Sequence, residues 1–177
     1  MELYVIRHTT PDVAKGICYG QSDIPVLHTF TEEAERVLLK LPATVDVIYT
    51  SPLLRCMQLA KTLAESKQVN LLSDSRLKEL NFGNWELKAW NDIEQDSLMH
   101  WMNNYVEVCV PNGESYAQLA ARVEDFLKFI RDQKHKTAAI VTHGGVIKSL
   151  HALINNVSLK EAMRFQVMYG EVIGFKV

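Results

Sequence analysis

The apolar positions along the chain follow two alternating rhythms. Unbroken short runs, "LYVI" at 3–6, "VDVIYTS" at 45–51 and "KTAAIVTH" at 136–143, lack the polar alternation of a half-exposed strand and predict strands covered on both faces. Between them the spacing becomes helical. "TEEAERVLLKL" at 31–41 opens on a threonine suited to N-capping, followed by acids suited to the positive helix end. "LLRCMQLAKTLAESK" at 53–67 predicts a second helix and "WNDIEQDSLMHWMNN" at 90–104 a third. In "SYAQLAARVEDFLKFIRDQ" at 115–133, apolar residues at 119, 123, 126, 127 and 130 form one helical stripe. "GGVIKSLHALIN" at 144–155 is a further helix, and "FQVMYGEVIGFKV" at 165–177 predicts two short strands about a Tyr-Gly turn. Strands alternating with helices specify a layered α/β fold with a mainly parallel sheet, and 177 residues suit a single domain spanning 1–177.

Composition narrows the class of function. Hydrophobic residues are 47% and charged residues 23% of the chain, the balance of a protein that buries a full core. The formal charge is -2 with scattered basic residues, so no dense cationic stripe suits a nucleic-acid backbone. No apolar run reaches the length of a membrane span, and the first is too short for a secretory signal. Cys18, Cys56 and Cys109 are odd in number and widely spaced. They form no metal-ligand pattern and fit reduced thiols in a cytoplasm. The expected partner is a small molecule, not nucleic acid or membrane.

In a parallel sheet the strand exits share one edge, where ligand-binding groups collect. Arg7 and His8 leave the first run, Ser51, Pro52 and Arg55 follow the second, and His143, Gly144 and Gly145 leave the third. Taken singly these have bland readings: a surface dipeptide, a solvated arginine, a tight turn at two glycines. Taken together they place two arginines and two histidines around one anion. A phosphate monoester suits such a set, since guanidinium groups give planar, charge-assisted hydrogen bonds and imidazole serves as nucleophile or donor. For the proton donor, "RLKELNFGNWE" at 76–86 offers Glu79 and Glu86 beside Leu80, Phe82 and Trp85. Apolar surroundings raise a carboxyl pKa; the competing reading is that Phe82 and Trp85 pack beneath exposed acids.

Five segments in order, "RHTTP", "TSPLLRCMQLA", "LKELNFGNWE", "NGES" and "VTHGGVI", resemble the motifs of the histidine phosphatase superfamily, the phosphoglycerate mutase-like branch 1 enzymes. The resemblance runs nearly the length of the chain. It implies a three-layer α/β/α sandwich and a cofactor-free, metal-free phosphomonoesterase. By that resemblance His8 becomes phosphohistidine and Arg7, Arg55 and His143 hold the phosphoryl oxygens. Glu79 is then the acid that protonates the leaving oxygen and the base that activates water. Within the family, "GICYGQSD" at 16–23 looks most like the loop of α-ribazole 5'-phosphate phosphatases of adenosylcobalamin synthesis. Tyr19 and Gln21 are expected at the substrate, with Thr9 and Gly144 near the phosphate. A broad or sugar-phosphate phosphatase is the other enzymatic reading, and a non-catalytic phospholigand-binding module a reading of another class. The chain departs from the family pattern at Thr9, Thr10, Pro11 and Ala14, which stand in the phosphate-contacting stretch, and at Leu87, where a glycine is usual. The tryptophans at 85, 90 and 101, with Met102, form either a lid or a packing layer, which periodicity does not separate, and core is the preferred expectation.

Overall fold

The structure, a computed structural model, describes residues 1–177. Five strands form one sheet in the order β3-β2-β4-β1-β5: β1 Glu2–Arg7, β2 Val47–Thr50, β3 Asn70–Ser73, β4 Thr137–Thr142 and β5 Val172–Lys176. All neighbours are parallel except β5, which runs antiparallel to β1 at the edge. The helices are α1 Phe30–Lys40, α2 Leu54–Lys67, α3 Gln95–Asn104, α4 Tyr116–Arg131, α5 Gly144–Asn155 and the short α6 Leu159–Ala162.

The unbroken apolar runs are explained by two cores, one on each face of the sheet. Leu3, Val5, Val47, Tyr49, Ala138 and Ile140 point to the α4 and α5 side, where they meet Leu119, Val123, Phe126, Ile130, Ile147 and Leu150. Ile6, Ile48, Ala139 and Val141 point the other way, onto α1 and α2, against Val37, Leu59 and Leu63. Alternate residues of each strand therefore serve opposite layers, as the two-residue period requires. The result is the three-layer α/β/α sandwich with a mainly parallel sheet.

Three details differ from the sequence reading. Helix α1 is entered through Thr29, not Thr31, and the Thr29 hydroxyl donates to Glu33 Oε1 instead of capping the backbone. The segment expected as one helix over 90–104 begins with a single 3₁₀ turn at Trp90–Asp92. The α-helix proper starts only after Glu94, whose carboxylate caps the amides of Asp96 and Ser97. Of the two closing strands only β5 forms; residues 165–170 instead cross the sheet edge, anchored by the Gly170 amide to the Arg7 and His8 carbonyls. Strand β3 is a largely exposed edge strand whose "NLLS" carries too few apolar residues to register as a period. By contrast α4 has a full capping box between Ser115 and Gln118, the reciprocal pair that marks a helix start. No helix is long and apolar enough to cross a membrane.

Candidate active site

Register puts the strand exits side by side. Arg7 of β1 pairs with Thr142 of β4, and Thr50 of β2 pairs with Val141, so His8, Ser51 and His143 emerge next to one another at the carboxyl edge. The His8 and His143 ring centroids are 5.1 Å apart in an edge-on arrangement. Helix α5 begins directly after His143, and its positive N-terminal end, with Gly144 and Gly145, faces a cavity of about 540 Å³. Arg7, His8, Tyr19, Arg55 and Glu79 line that cavity with the two glycines. His143 lies behind His8, fully buried, its Nε2 2.8 Å from Ser51 Oγ and 3.4 Å from Cys56 Sγ.

The hydrogen bonds define the state of His8. Its Nδ1 lies 2.7 Å from the Thr9 carbonyl, an acceptor only, so Nδ1 carries the proton and Nε2 keeps its lone pair. Arg55 Nε donates to that Nε2 at 3.3 Å. Burial, reinforced by the Arg55 and Arg7 charges and opposed by the Thr9 carbonyl, holds the His8 pKa well below the usual imidazole value. Burial also depresses His143, with His8 and the Arg55, Arg122 and Arg7 guanidinium groups acting in the same sense. In the ligand-free site both imidazoles are therefore driven neutral. A cationic His143 requires the phosphoryl dianion itself.

A stability effect follows. Unfolded histidines protonate as pH falls through about 6.5 while the buried pair stays neutral, so the unfolded state binds more protons and stability falls with pH. The melting temperature is expected to drop between pH 7 and pH 5, above the range in which the lowered carboxylates Glu33, Asp74 and Glu86 begin to be protonated. Thermal melts of the wild type and of His8→Gln/His143→Gln across that window check this; an equal slope in both proteins would contradict it.

Neither of the two arginines has a carboxylate partner. Arg55 is fully buried, with NH1 donating to the Ser22 carbonyl at 2.8 Å and NH2 to the Gly20 carbonyl. Arg7 NH1 donates to the Val167 carbonyl, its guanidinium carbon stands 3.9 Å from the Tyr169 ring centre, and its buried Nε has no partner. The ion pairs of the chain all lie elsewhere, Arg76 with Asp74, Arg122 with Glu114 and Lys128 with Glu124. A buried guanidinium without a carboxylate is costly, so Arg55 and its half-buried neighbour Arg7 suit an anionic ligand.

The two glutamates of the 76–86 loop separate cleanly. Glu79 lines the cavity, held by the Leu80 amide at 2.9 Å and by the Gly145 amide at 3.1 Å. Gly145 has to be glycine here, because a Cβ at that position would collide with Glu79 Oε1 and press on Leu119. Glu86 is a clip for the recognition loop: it accepts from the amides of Gly20, Gln21, Ser22 and Phe82 and from the Ser22 hydroxyl at 2.6 Å. Burial pushes its pKa up, but those donors outweigh burial and hold it below the usual carboxylate range. Arg122 props the Glu79 segment from outside, donating to the carbonyls of Arg76, Lys78 and Glu79.

Three other residues of the opening loops lie apart from the cavity lining. Thr9 is fully buried, does not line the cavity, and its hydroxyl has no partner. Thr10 turns away, its amide and hydroxyl bound to Glu33 of α1. Gln21 does not reach the cavity either; its side-chain amide donates to the Glu79 carbonyl at 3.0 Å. Both residues sit where backbone turns need satisfying, and that demand takes their polar atoms. Trp85 packs with Cys18, Ile93, Leu98 and Val110 in a satellite core, away from Glu79, whereas Trp90 and Trp101 line the cavity and Met102 is exposed. The structure adds Tyr169, whose hydroxyl is 2.7 Å from that of Tyr19 and whose ring centroid is 5.5 Å from that of His8. Its only sequence signal was the Tyr-Gly turn, which reads as a hairpin.

Residues 3–177 match the family described as "Histidine phosphatase superfamily (branch 1)". The chain belongs to the histidine phosphatase superfamily. This histidine phosphatase is 31% identical over 164 residues to "Putative phosphoserine phosphatase 2" of Hydrogenobacter thermophilus, covering 89% of this chain and 80% of the relative. It is 26% identical over 176 residues to the adenosylcobalamin/alpha-ribazole phosphatase of Escherichia coli K12, with 96% and 87% covered. The crystal structure of the alpha-ribazole phosphatase from Shigella flexneri superposes with a TM-score of 0.93 at 24% identity, over 100% of this chain and 91% of that one. Family and relatives together make this histidine phosphatase a phosphoric monoester hydrolase.

Proposed function

We propose that the protein hydrolyses phosphate monoesters through a phosphohistidine on His8. The supporting observation is an imidazole with an available Nε2 lone pair beside two arginines, Arg55 fully buried and Arg7 half-buried, that lack any carboxylate partner. Nε2 attacks phosphorus, an N–P bond forms and the ester P–O bond breaks. Arg7, Arg55 and the α5 N-terminus hold the phosphoryl oxygens, and His143 takes up positive charge against the dianion. Glu79 gives its proton to the departing oxygen, then removes one from the water that cleaves the N–P bond, which returns neutral His8 and releases inorganic phosphate.

No three His, Cys, Asp or Glu side chains come together as a metal-binding group, and the arginines and the helix terminus supply positive charge where the phosphoryl group would lie. Hydrolysis of a chromogenic phosphate ester is therefore expected to continue in excess chelator. Inactivation by EDTA with recovery on added divalent metal would contradict the mechanism.

For the physiological substrate the reading is α-ribazole 5'-phosphate. Beyond the phosphoryl end the cavity is walled by Phe82, Trp90, Trp101, Tyr105 and Tyr116, with the Trp90 and Trp101 rings nearly parallel at 6.4 Å. Such a wall suits the face of a nucleoside-like base, and the Escherichia coli relative carries that substrate in its name. Tyr19, tied to Tyr169 beside Arg55, stands at the phosphoryl end, so the tryptophans are the better stacking surface. A second reading, a carboxylate-bearing ester such as phosphoserine, is favoured by the 31% identical relative. The test compares specificity constants for α-ribazole 5'-phosphate, phosphoserine and a sugar phosphate on wild type and Trp90→Ala. A preference for the first that falls about tenfold in the variant supports the assignment; equal constants on the wild type would end it while leaving the phosphatase standing.

A further inference from the structure

Lys148 is the one basic side chain of the cavity lining that the proposed reaction leaves unused. It follows Gly144 by one turn of α5 and so sits on the same helix face. Its side chain lines the cavity, half-buried, together with Met163, Gln166 and Met168 of the C-terminal crossing segment. The ammonium has three donors and one protein partner, the Met163 carbonyl at 3.1 Å. No carboxylate lies within ion-pair distance, Glu79 included. Burial draws its pKa down, with Glu79 pulling up and Arg7 down, as expected of a charge partly removed from water without a counterion.

A structural role would be met by an apolar residue packed against Met163, at no desolvation cost. Contact with the phosphoryl group is already provided by Arg7, Arg55 and the helix terminus. The bond to the Met163 carbonyl leaves two donors of a side chain that lines the same cavity as Glu79, Met163, Gln166 and Met168.

We infer that Lys148 is a specificity-determining residue that donates hydrogen bonds to an oxygen acceptor on the leaving alcohol, close to the scissile ester. This rests on the phosphatase reading and refines its substrate class. The acceptor has two sources, a sugar hydroxyl as in a ribose phosphate or a carboxylate as in a phosphorylated hydroxy or amino acid.

The experiment measures kcat and KM for three esters of similar size: propyl phosphate with no further oxygen, glycerol 3-phosphate with hydroxyls, and 3-phosphoglycerate with a carboxylate. Each is assayed by phosphate release on wild type, Lys148→Met and Lys148→Arg. The methionine variant is expected to lower kcat/KM for an oxygen-bearing ester about tenfold or more relative to propyl phosphate. The loss should appear mainly in KM, and arginine should restore most of it. A relative loss for both oxygen-bearing esters identifies a hydroxyl contact, and a loss confined to 3-phosphoglycerate identifies a carboxylate contact. Unchanged ratios among the three esters, including a uniform loss from misfolding, would overturn the assignment. Failure of the wild type to release phosphate from these three esters and from a chromogenic aryl ester alike would overturn the phosphatase reading, and the Lys148 assignment with it; release from the aryl ester but from none of the three would overturn the Lys148 assignment alone.

Discussion

Replacing His8 with alanine is expected to lower phosphate release by about four orders of magnitude or more, the scale seen when a covalent nucleophile is removed. The size follows from what the imidazole does here. Its Nδ1 proton is fixed on the Thr9 carbonyl and its Nε2 is presented to Arg55, and no second imidazole lines the cavity. Cys56, the nearest alternative, is fully buried and its thiol is pushed strongly toward the protonated form, first by burial. The fold should survive the change, because the small void beside His143 removes a buried polar ring and no apolar core contact. Steady-state assay and a thermal melt on the same preparation separate the two effects. Residual activity above about one per cent of wild type would be too much for a nucleophile.

Replacing Glu79 with glutamine is expected to slow alkyl esters by a hundredfold or more, the usual scale of lost general acid catalysis, and aryl esters far less. An aryl oxide leaves without a full proton, whereas an alkoxide does not. The substitution keeps the acceptor oxygen for the Gly145 or Leu80 amide but directs an NH₂ group at the other, so some loss of positioning accompanies the loss of the acid. Comparing phenyl and propyl phosphate separates these: positioning slows both, acid loss mainly the alkyl ester. If both slowed equally, or if Glu86→Gln alone showed the leaving-group dependence, the acid would be misassigned. Glu86→Gln should instead act through the loop it clips, with Gly20, Ser22 and hence Arg55 displaced.

The parallel strands and long helices could be read from the sequence because each carried a physical period or a strong cap. The apolar stripe of α4 is buried at every one of its named positions, and Ser115 begins the helix as its capping box requires. Strand exits brought Arg7, His8, Arg55 and His143 together because parallel register leaves them no other edge. The loops were another matter. Gln21 and Thr10 have the polarity of ligand contacts, yet both hold down turns, and nothing in residue type distinguishes those uses. Tyr169 and Lys148 were invisible as site residues, since their place depends on how residues 163–170 cross the sheet edge, a path set by hydrogen bonds to the β1 end. The tryptophans illustrate the same limit: Trp85 is core, while Trp90 and Trp101 wall the cavity, and spacing alone does not assign them.

Two neighbouring guanidinium groups suffice to argue for a neutral imidazole, but burial is the larger effect and the arginines reinforce it. A site opened to water would lose that first contribution. The neutrality of His8 therefore rests first on its enclosure and only second on the arginine charges.

The central claim is that the phosphoryl group passes through His8, and trapping it tests this most directly. Enzyme mixed with radiolabelled phosphate ester and quenched in alkali within a turnover should carry label on the peptide containing His8. The label should be lost in acid, as an N–P bond requires, and should be absent from His8→Ala. Stoichiometric label that survives acid, that maps to another residue, or that persists in His8→Ala would contradict the account.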